Sequence, residues 1–526
     1  MSSLAAALHD TLLRRLPPPA VADPAQLQQT TLALMAALEQ GELGLEHEAP
    51  PPEALAASGW LVEAAELKAC DPAASPAVLV RDGRWLRWRR WHEQLDHCLE
   101  GLIARAQSNL SPPPDPNAIA AAAAGAAGLD PQQQAAVQAL LRHQLVVLLG
   151  GPGTGKTSSV GRMLEAALAR EPLLRVHLAA PTGKAAARLS AALAGLQPLP
   201  CSTLHRLLEA RGNGRFGRNA TRPLELDLLV VDELSMVDLP LMTALLEAMP
   251  AQARLLLVGD AGQLPPVGTG AVLEELSRPA IRERLGPAVV ELTTTYRNNG
   301  AIAAIAAALR EQTNRDADPL PTLRPFLQQL DSDANLQWLE APLQQLPAAV
   351  LTPLKHHQRR LRQLCESLQW QGQELEPGGS DALLAELEQL IVLSPLRQGP
   401  WGVDALHRAL LGPLASAPLE RWPLGTPVLN RRNHPEQDLA NGEIGVVVER
   451  NGQRLVLMPG GRLLHPARLA GAEPALALTV HKAQGSQYAH VLLLVPPSRQ
   501  RDPRLLYTGL TRARHQALLV FPAQRA

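Results

Sequence analysis

Short continuous apolar runs, each followed by a stretch of helical spacing, organise the middle of the chain. Residues 145–149 (LVVLL), 176–180 (VHLAA), 228–231 (LLVV) and 255–258 (LLLV) are too short for helices and lie between polar or glycine-bearing turns. Such runs predict strands buried on both faces, and their alternation with helices predicts a parallel α/β sheet. A second set, 391–393, 491–495 and 518–521, predicts another such sheet in the C-terminal half. From about 413 to 470, glycine, proline and the short alternating segments 426–429, 445–449 and 454–458 predict a small β-rich insertion.

Upstream the pattern changes. The first hundred residues read as short helices broken by Pro17, Pro18 and Pro19 and by Pro50, Pro51 and Pro52. They lead into 80–104, where Trp85, Trp88 and Trp91 stand at i, i+3 and i+6 beside Arg84, Arg87, Arg89 and Arg90. That spacing predicts one apolar stripe of a helix, packed on its own domain or on a partner; stacking on nucleic-acid bases is the alternative. Residues 111–128 (SPPPDPNAIAAAAAGAAG) are rich in Pro, then Ala and Gly, and predict a linker. The expected layout is a helical N-terminal domain over 1–115, a first α/β domain over 116–285 and a second over 286–526 carrying the insertion. No internal repeat is visible.

At 526 residues the chain exceeds what a single core supports. No apolar stretch approaches the roughly 18 residues of a membrane helix, and the start lacks the basic, apolar and small-residue segments of a secretory signal. A cytoplasmic protein with no membrane partner is expected. Lys plus Arg number 49 and Asp plus Glu 50, for a net charge of -1, so any polyanion site must be local. Five basic residues are lysine (Lys68, Lys156, Lys184, Lys355, Lys482), and three of these fall in the motifs below. The four cysteines are far apart, which argues against a disulfide framework or a Cys-ligated metal.

The run 145–149 leads into Gly150-Gly151-Pro152-Gly153-Thr154-Gly155-Lys156-Thr157, followed by a helical stretch. Strand, glycine loop and helix N-terminus in that order form a phosphate cradle of backbone N–H groups. Lys156 reaches the terminal phosphates of a nucleotide, and the Thr157 hydroxyl can ligate Mg²⁺. The run 228–231 ends in Asp232-Glu233, which places adjacent carboxylates at a strand's C-terminal edge, where α/β sheets hold ligands. There Asp232 suits the metal and Glu233 an attacking water.

Further short motifs follow in a fixed order. Leu129-Asp130-Pro131-Gln132-Gln133 lies upstream of the phosphate loop, and Ala180-Pro181-Thr182-Gly183-Lys184, Thr203-Leu204-His205, and Gly259-Asp260-Ala261-Gly262-Gln263 lie downstream. Thr295-Tyr296-Arg297, Thr479-Val480-His481-Lys482-Ala483-Gln484-Gly485-Ser486 and Tyr507-Thr508-Gly509-Leu510-Thr511-Arg512 complete the series. From Leu129 to Phe521 the chain resembles the superfamily 1 helicases, and specifically the RecD family, the exonuclease V alpha subunits of RecBCD complexes. That resemblance implies ATP bound with Mg²⁺ between two RecA-like domains, Gln133 reading adenine, Tyr296 packed on the base, and Arg297 and Arg512 reaching the γ-phosphate. It implies that Gln263 couples phosphate loss to domain movement. Tyr296 packed on its own helix is the alternative reading of that residue.

The resemblance also implies contacts to single-stranded DNA from Thr182, Lys184, Thr203 and His205 on the first motor and Thr479, His481, Lys482 and Gln484 on the second. His205 and His481 read equally well as capping or core histidines. Gln487 stands where related sequences carry glutamate. The insertion resembles an SH3-like barrel, and 211–218 a short wedge hairpin. What the resemblance implies overall is ATP-dependent 5′ to 3′ movement on DNA ends in double-strand break repair, with RecB-like and RecC-like partners and no nuclease in this chain. The residues before Leu129, too few for the long extension of stand-alone RecD-like helicases, favour a subunit, and are expected to serve assembly rather than ATP chemistry.

Overall fold

The computed structural model describes residues 3–19, 23–39, 41–46, 53–69, 77–108, 110, 128–211, 214–296, 300–312, 319–331, 334–372, 374–376, 378–432, 439–495 and 502–523. Two parallel sheets form its frame. The first has six strands in the order Val289–Leu292, Leu145–Gly150, Arg254–Gly259, Leu228–Val231, Val176–Ala180, Cys201–Thr203, every pair parallel. The period of two along its central strand separates two cores. Leu145, Val147 and Leu149 enter one, and Val146 and Leu148 enter the other with Val160, Met163 and Leu164 of the helix Lys156–Arg170. The strand Val289–Leu292 belongs to this sheet, so the first motor extends past the boundary expected at 285.

The second sheet has five strands, Leu336–Ala341, Ala513–Pro522, Tyr488–Leu494, Leu390–Ser394 and Ala477–Thr479, again all parallel. The helices Ala301–Glu311 and Pro503–Leu510 cover one face, and Ala348–Glu366 and Val403–Leu411 the other. The insertion is a five-stranded antiparallel sheet in the order Leu463–Leu464, Gln453–Leu457, Ile444–Arg450, Pro427–Leu429, Glu473–Pro474. Ala210–Arg211 and Arg215–Phe216 pair as a two-stranded hairpin.

The N-terminal region departs from the expectation in three ways. Besides helices, it holds a four-stranded sheet ordered Gly44–Glu46, Trp85–Trp88, Leu79–Asp82, Leu61–Glu63. Trp85 and Trp88 therefore lie on a strand, and only Trp91 falls on the helix Arg89–Gln107. Spacing of i and i+3 misled because β-propensity and the turn at Asp82–Trp85 outweigh it. The tryptophans pack within the chain. Trp88 is buried with Trp60 and Leu79, Trp91 packs against two cores, and the guanidinium groups of Arg87 and Arg278 both lie over the Trp85 ring.

Third, Leu95, Cys98, Leu99, Leu102 and Ile103 of the helix Arg89–Gln107 share one core with Leu145, Val147, Leu229 and Leu255 of the first motor sheet. The core thus runs across the boundary expected at 115, and the predicted linker lies, but for Gly128, outside the described residues. Burial raises the thiols of Cys98 and Cys365 to about 12 and that of Cys201 to about 11, which makes them inert packing groups. Among the described residues no helix is long and apolar enough to cross a membrane.

Candidate nucleotide and nucleic-acid site at the motor seam

The phosphate loop takes its shape from glycines at positive φ, Gly153 at 75° and Gly155 at 79°, before the helix Lys156–Arg170 begins. At Gly150 a Cβ would come within 2.6 Å of Thr154 Oγ1 and 3.1 Å of the Leu292 carbonyl, so a side chain there would collapse the loop. Lys156 Nζ donates to the carbonyls of Gly150 (2.7 Å) and Gly151 (2.8 Å), and the Thr154 hydroxyl donates to Gly151 O at 2.9 Å. Thr157 is the second residue of the helix, while Pro152 lies in the turn before it.

Gln133 and Tyr296 meet at this loop. Asp130 caps the helix Pro131–Arg142 by accepting from Gln133 N, and the Gln133 side chain accepts from Asp130 N in return. Gln133 Nε2 and the Tyr296 ring both lie against Gly155, and Tyr296 N donates to Gly153 O at 2.8 Å. Tyr296 Oη donates to Asp130 and the ring stays 52% exposed, so it packs on the loop rather than on a helix of its own. Arg297 lies outside the described residues.

At the end of the strand Leu228–Val231, Glu233 adopts a left-handed conformation (φ 54°), a strained geometry for a side chain of this kind, and its N–H donates to Asp232 Oδ1 at 2.8 Å. Burial and the neighbouring Glu233 carboxylate push the Asp232 pKa up to about 6, against the pull of Lys156 and Arg188. Hard oxygen donors from Asp232 and Thr157 beside a phosphate cradle fit Mg²⁺, which takes one or two carboxylates and completes its shell with water and substrate phosphates. Among the described residues no three His, Cys, Asp or Glu side chains converge as a closed metal site. Gln263 Oε1 is buried without a donor among the described residues, an acceptor suited to a water or hydroxyl at the nucleotide.

The second motor closes this site. Tyr507 Oη donates to Asp260 Oδ2 at 2.8 Å, Gln263 Nε2 donates to the same oxygen at 3.2 Å, Leu264 N donates to Thr508 Oγ1 at 2.8 Å, and Arg188 Nη1 donates to Gly485 O at 2.9 Å. Arg512 is buried, donating to the Thr508 and Ser486 carbonyls at 3.0 and 3.3 Å; burial lowers its pKa and the Glu233 carboxylate across the seam opposes that shift.

The expected DNA residues divide. Thr182 and Thr203 cap the helices Gly183–Ala192 and Leu204–Leu207. Exposed His205 lies beside Phe216 and lines, with Thr203 and Arg206, a cavity of about 770 Å³ closed by Ala440, Glu443 and Arg462 of the insertion. A Cβ on Gly183 would run into Ala440, so the insertion sits directly on the first motor. Exposed His481 rules out a core role, Thr479 Oγ1 accepts from Lys482 N at 3.4 Å, and the Lys482 ammonium pairs with Glu473. Lys184 lies over the Tyr488 ring and 3.9 Å from Glu388. Gln484 is placed differently from the expectation: it is buried, and its Nε2 donates to Leu264 O at 3.1 Å, across the seam.

Sequence reasoning missed three participants. Asp260 and Tyr507 stood inside quoted motifs without a role. Arg310, in the last turn of the otherwise apolar helix Ala301–Glu311, pairs with Glu291 of the first motor at 3.1 Å and reaches the space beside Gly151. An arginine in the last turn of a helix, beside Glu311, is an ordinary helix end in sequence and gave no signal of this contact.

Residues 133–269 match the AAA domain family, and 474–520 match the UvrD-like helicase C-terminal domain. The RecBCD enzyme subunit RecD of Mycolicibacterium smegmatis is 36% identical over 500 residues, covering 90% of this chain and 83% of the relative. The ATP-dependent RecD2 DNA helicase of Deinococcus radiodurans is 33% identical over 397 residues, covering 74% and 48%. A solved Bacteroides Pif1 bound to single-stranded DNA is similar at 19% identity and a TM-score of 0.41, covering 76% of this chain and 93% of that one. The extent of the mycobacterial likeness, on a chain whose phosphate loop, acid pair and opposing arginine meet across one seam, shows that the chain belongs to the RecD family of superfamily 1 DNA helicases.

Proposed function

We propose that this helicase hydrolyses ATP at the seam and converts each cycle into a 5′ to 3′ step along single-stranded DNA, as the cytoplasmic partner of RecB-like and RecC-like subunits acting on double-stranded ends. The observation that carries the reading is Arg512, buried on the second motor with its charge set against Glu233 on the first. Charge developing on a transferring phosphoryl group calls for such a guanidinium from the opposite domain. Gln133 and Tyr296 hold the base, the backbone of Gly151, Pro152, Gly153, Thr154 and Gly155 wraps the phosphates, and Lys156 leaves its loop carbonyls for the terminal phosphates. Thr157 and Asp232 would hold Mg²⁺, which when bound would supply charge to neutralise the phosphates. Glu233 orients the attacking water and accepts its proton, and Gln263, between Asp260 and the nucleotide, transmits the change to Tyr507. Arg297 is assigned a second γ-phosphate contact.

Thr182, Lys184, Thr203 and His205, with Thr479, His481 and Lys482, are assigned to the DNA backbone, under an insertion read as an SH3-like barrel. Hydroxyl, imidazole and ammonium groups suit phosphates without reading sequence. The test is ATP turnover with and without single-stranded DNA, and unwinding of duplexes with a 5′ or a 3′ tail. Stimulated turnover and unwinding from the 5′ tail are expected. Turnover indifferent to DNA, or unwinding from the 3′ tail alone, contradicts the reading.

A further inference from the structure

Three cations from separate elements converge on one carboxylate at the end of the second motor sheet. Glu473 lies on the short strand that closes the insertion against Leu429, with its side chain 14% exposed. Its Oε2 accepts from Arg397 Nη2 at 3.0 Å and lies 3.8 Å from Arg431 Nη1, while its Oε1 contacts the Lys482 ammonium. Arg397 follows the strand Leu390–Ser394, Arg431 follows Pro427–Leu429, and Lys482 follows Ala477–Thr479. The first and third of these strands are parallel neighbours, so Arg397 and Lys482 stand beyond adjacent C-terminal edges, the side of an α/β sheet that takes ligands.

Charge is unbalanced there. Glu473 faces three cations, and Asp404 adds only a 3.8 Å contact to Arg397 Nε. The Arg397 and Arg431 side chains remain 49% and 50% exposed, which leaves guanidinium N–H groups turned to solvent. A carboxylate held by guanidinium and ammonium groups presents the same acceptor pattern as a phosphate, and Arg is the side chain best matched to both. Thr479 and His481, already assigned to the strand, flank Lys482.

We propose that Arg397, Arg431 and Lys482 form one binding site for a backbone phosphate of single-stranded DNA, and that Glu473 is its built-in competitor, displaced when the phosphate arrives. The site rests on the DNA-translocase reading above and extends it: the second motor holds an internal anion in place of DNA, and gripping the strand requires releasing Glu473. A purely structural cluster, one that only pins the insertion to the motor, would lose function whichever member were removed. Here removal of the acid and removal of the arginines act in opposite directions.

The experiment measures binding of a fluorescent oligo-dT strand to the full chain over a range of salt, with the thermal midpoint of each variant recorded. Each phosphate contact on a single strand contributes about 0.7 to the slope of log affinity against log salt. Arg397→Ala with Arg431→Ala is expected to flatten the slope by about 0.7, the share of one phosphate, and the paired lysine variants to restore it. Glu473→Gln, and independently Glu473→Ala, is expected to tighten binding about two- to fivefold, the scale of a solvent-facing ion pair. Weaker or unchanged binding in both Glu473 variants, or an unchanged slope in the double alanine variant, overturns the site alone. A wild-type chain that fails to bind the strand overturns the translocase reading and this site with it.

Discussion

Removing the first 107 residues is expected to destroy the motor, although they contain no nucleotide motif. The helix Arg89–Gln107 is amphipathic, and its apolar face lies in the first motor's core with Leu95, Cys98, Leu99, Leu102 and Ile103 all buried. Arg105 fastens its end by donating to the carbonyls of Ala253, Met249 and Pro250, and Gln94 donates to Thr243 Oγ1 at 3.1 Å. Burial of a Leu or Ile side chain is worth about 1.5–3 kcal/mol, so the three leucines and Ile103 contribute about 6–12 kcal/mol. A domain's whole stability is about 5–15 kcal/mol, so deletion of 1–107 leaves little or nothing. Deletion of 1–88 spares the helix, and Glu275, deprived of Arg87, keeps its ion pair with Arg278 at 2.9 Å. Thermal unfolding and DNA-stimulated ATP turnover of the two truncations decide the matter: a cooperative transition and turnover for the shorter deletion, neither for the longer. A chain lacking 1–107 with wild-type melting and turnover would refute the placement of this helix in the motor core. Within the full chain, Leu102→Ala, at a fully buried site, should cost about 2–5 kcal/mol in denaturant unfolding.

Lys156→Ala and Glu233→Gln should each lower DNA-stimulated turnover by about a hundredfold or more, with Glu233→Gln still binding a fluorescent ATP analogue; wild-type turnover in either variant contradicts their assignment. Tyr507→Phe removes the 2.8 Å hydrogen bond to Asp260 across the seam and should cost about 1.5–3 kcal/mol in unfolding while weakening the stimulation by DNA, since Asp260 then keeps only its first-motor donors. His407 is buried with its Nε2 against Ala477, and burial lowers its pKa to about 4 from 6.5. The unfolded chain therefore binds the proton first as pH falls, and stability should drop between pH 6.5 and 4 by up to about 3 kcal/mol, a loss that His407→Gln should abolish in denaturant titrations at the two ends of that window.

The nucleotide half of the site was legible because its chemistry is contiguous in sequence: a glycine loop between strand and helix, then two acids at a strand end. The strands 145–149, 228–231 and 255–258 were legible because burial on both faces leaves an uninterrupted apolar run. Trp85 and Trp88 were misread because helix and strand signals overlap in a short segment where arginine stems and indoles share the packing. The helix Arg89–Gln107 was assigned to the wrong core because sequence shows that a face is apolar but not what covers it. The seam contacts of Gln484 and Arg310 escaped for the same reason: a seam between domains is built from residues distant in sequence, and neither an amide nor an arginine at a helix end announces its partner.

The seam also explains how a change at a phosphate can reach the DNA. On the first motor, Thr182 caps the helix Gly183–Ala192, and Arg188 of the same helix, about 9 Å along its axis, donates to Gly485 of the second motor. On the second motor, His481 is exposed and Thr479 and Lys482 are half-buried, while Gln484 donates to Leu264 and Ser486 accepts from Arg512 only a few residues later. On the proposed reading, each motor therefore carries its assigned DNA groups and its seam groups on one short, packed element. Such an element cannot shift at one end and stay fixed at the other, because its intervening side chains, Ala185 and Ala186 on one motor and Ala483 on the other, are buried. In the proposed cycle, movement of Arg512 relative to Glu233 would thus move the assigned phosphate contacts of both motors relative to each other, with no separate relay required.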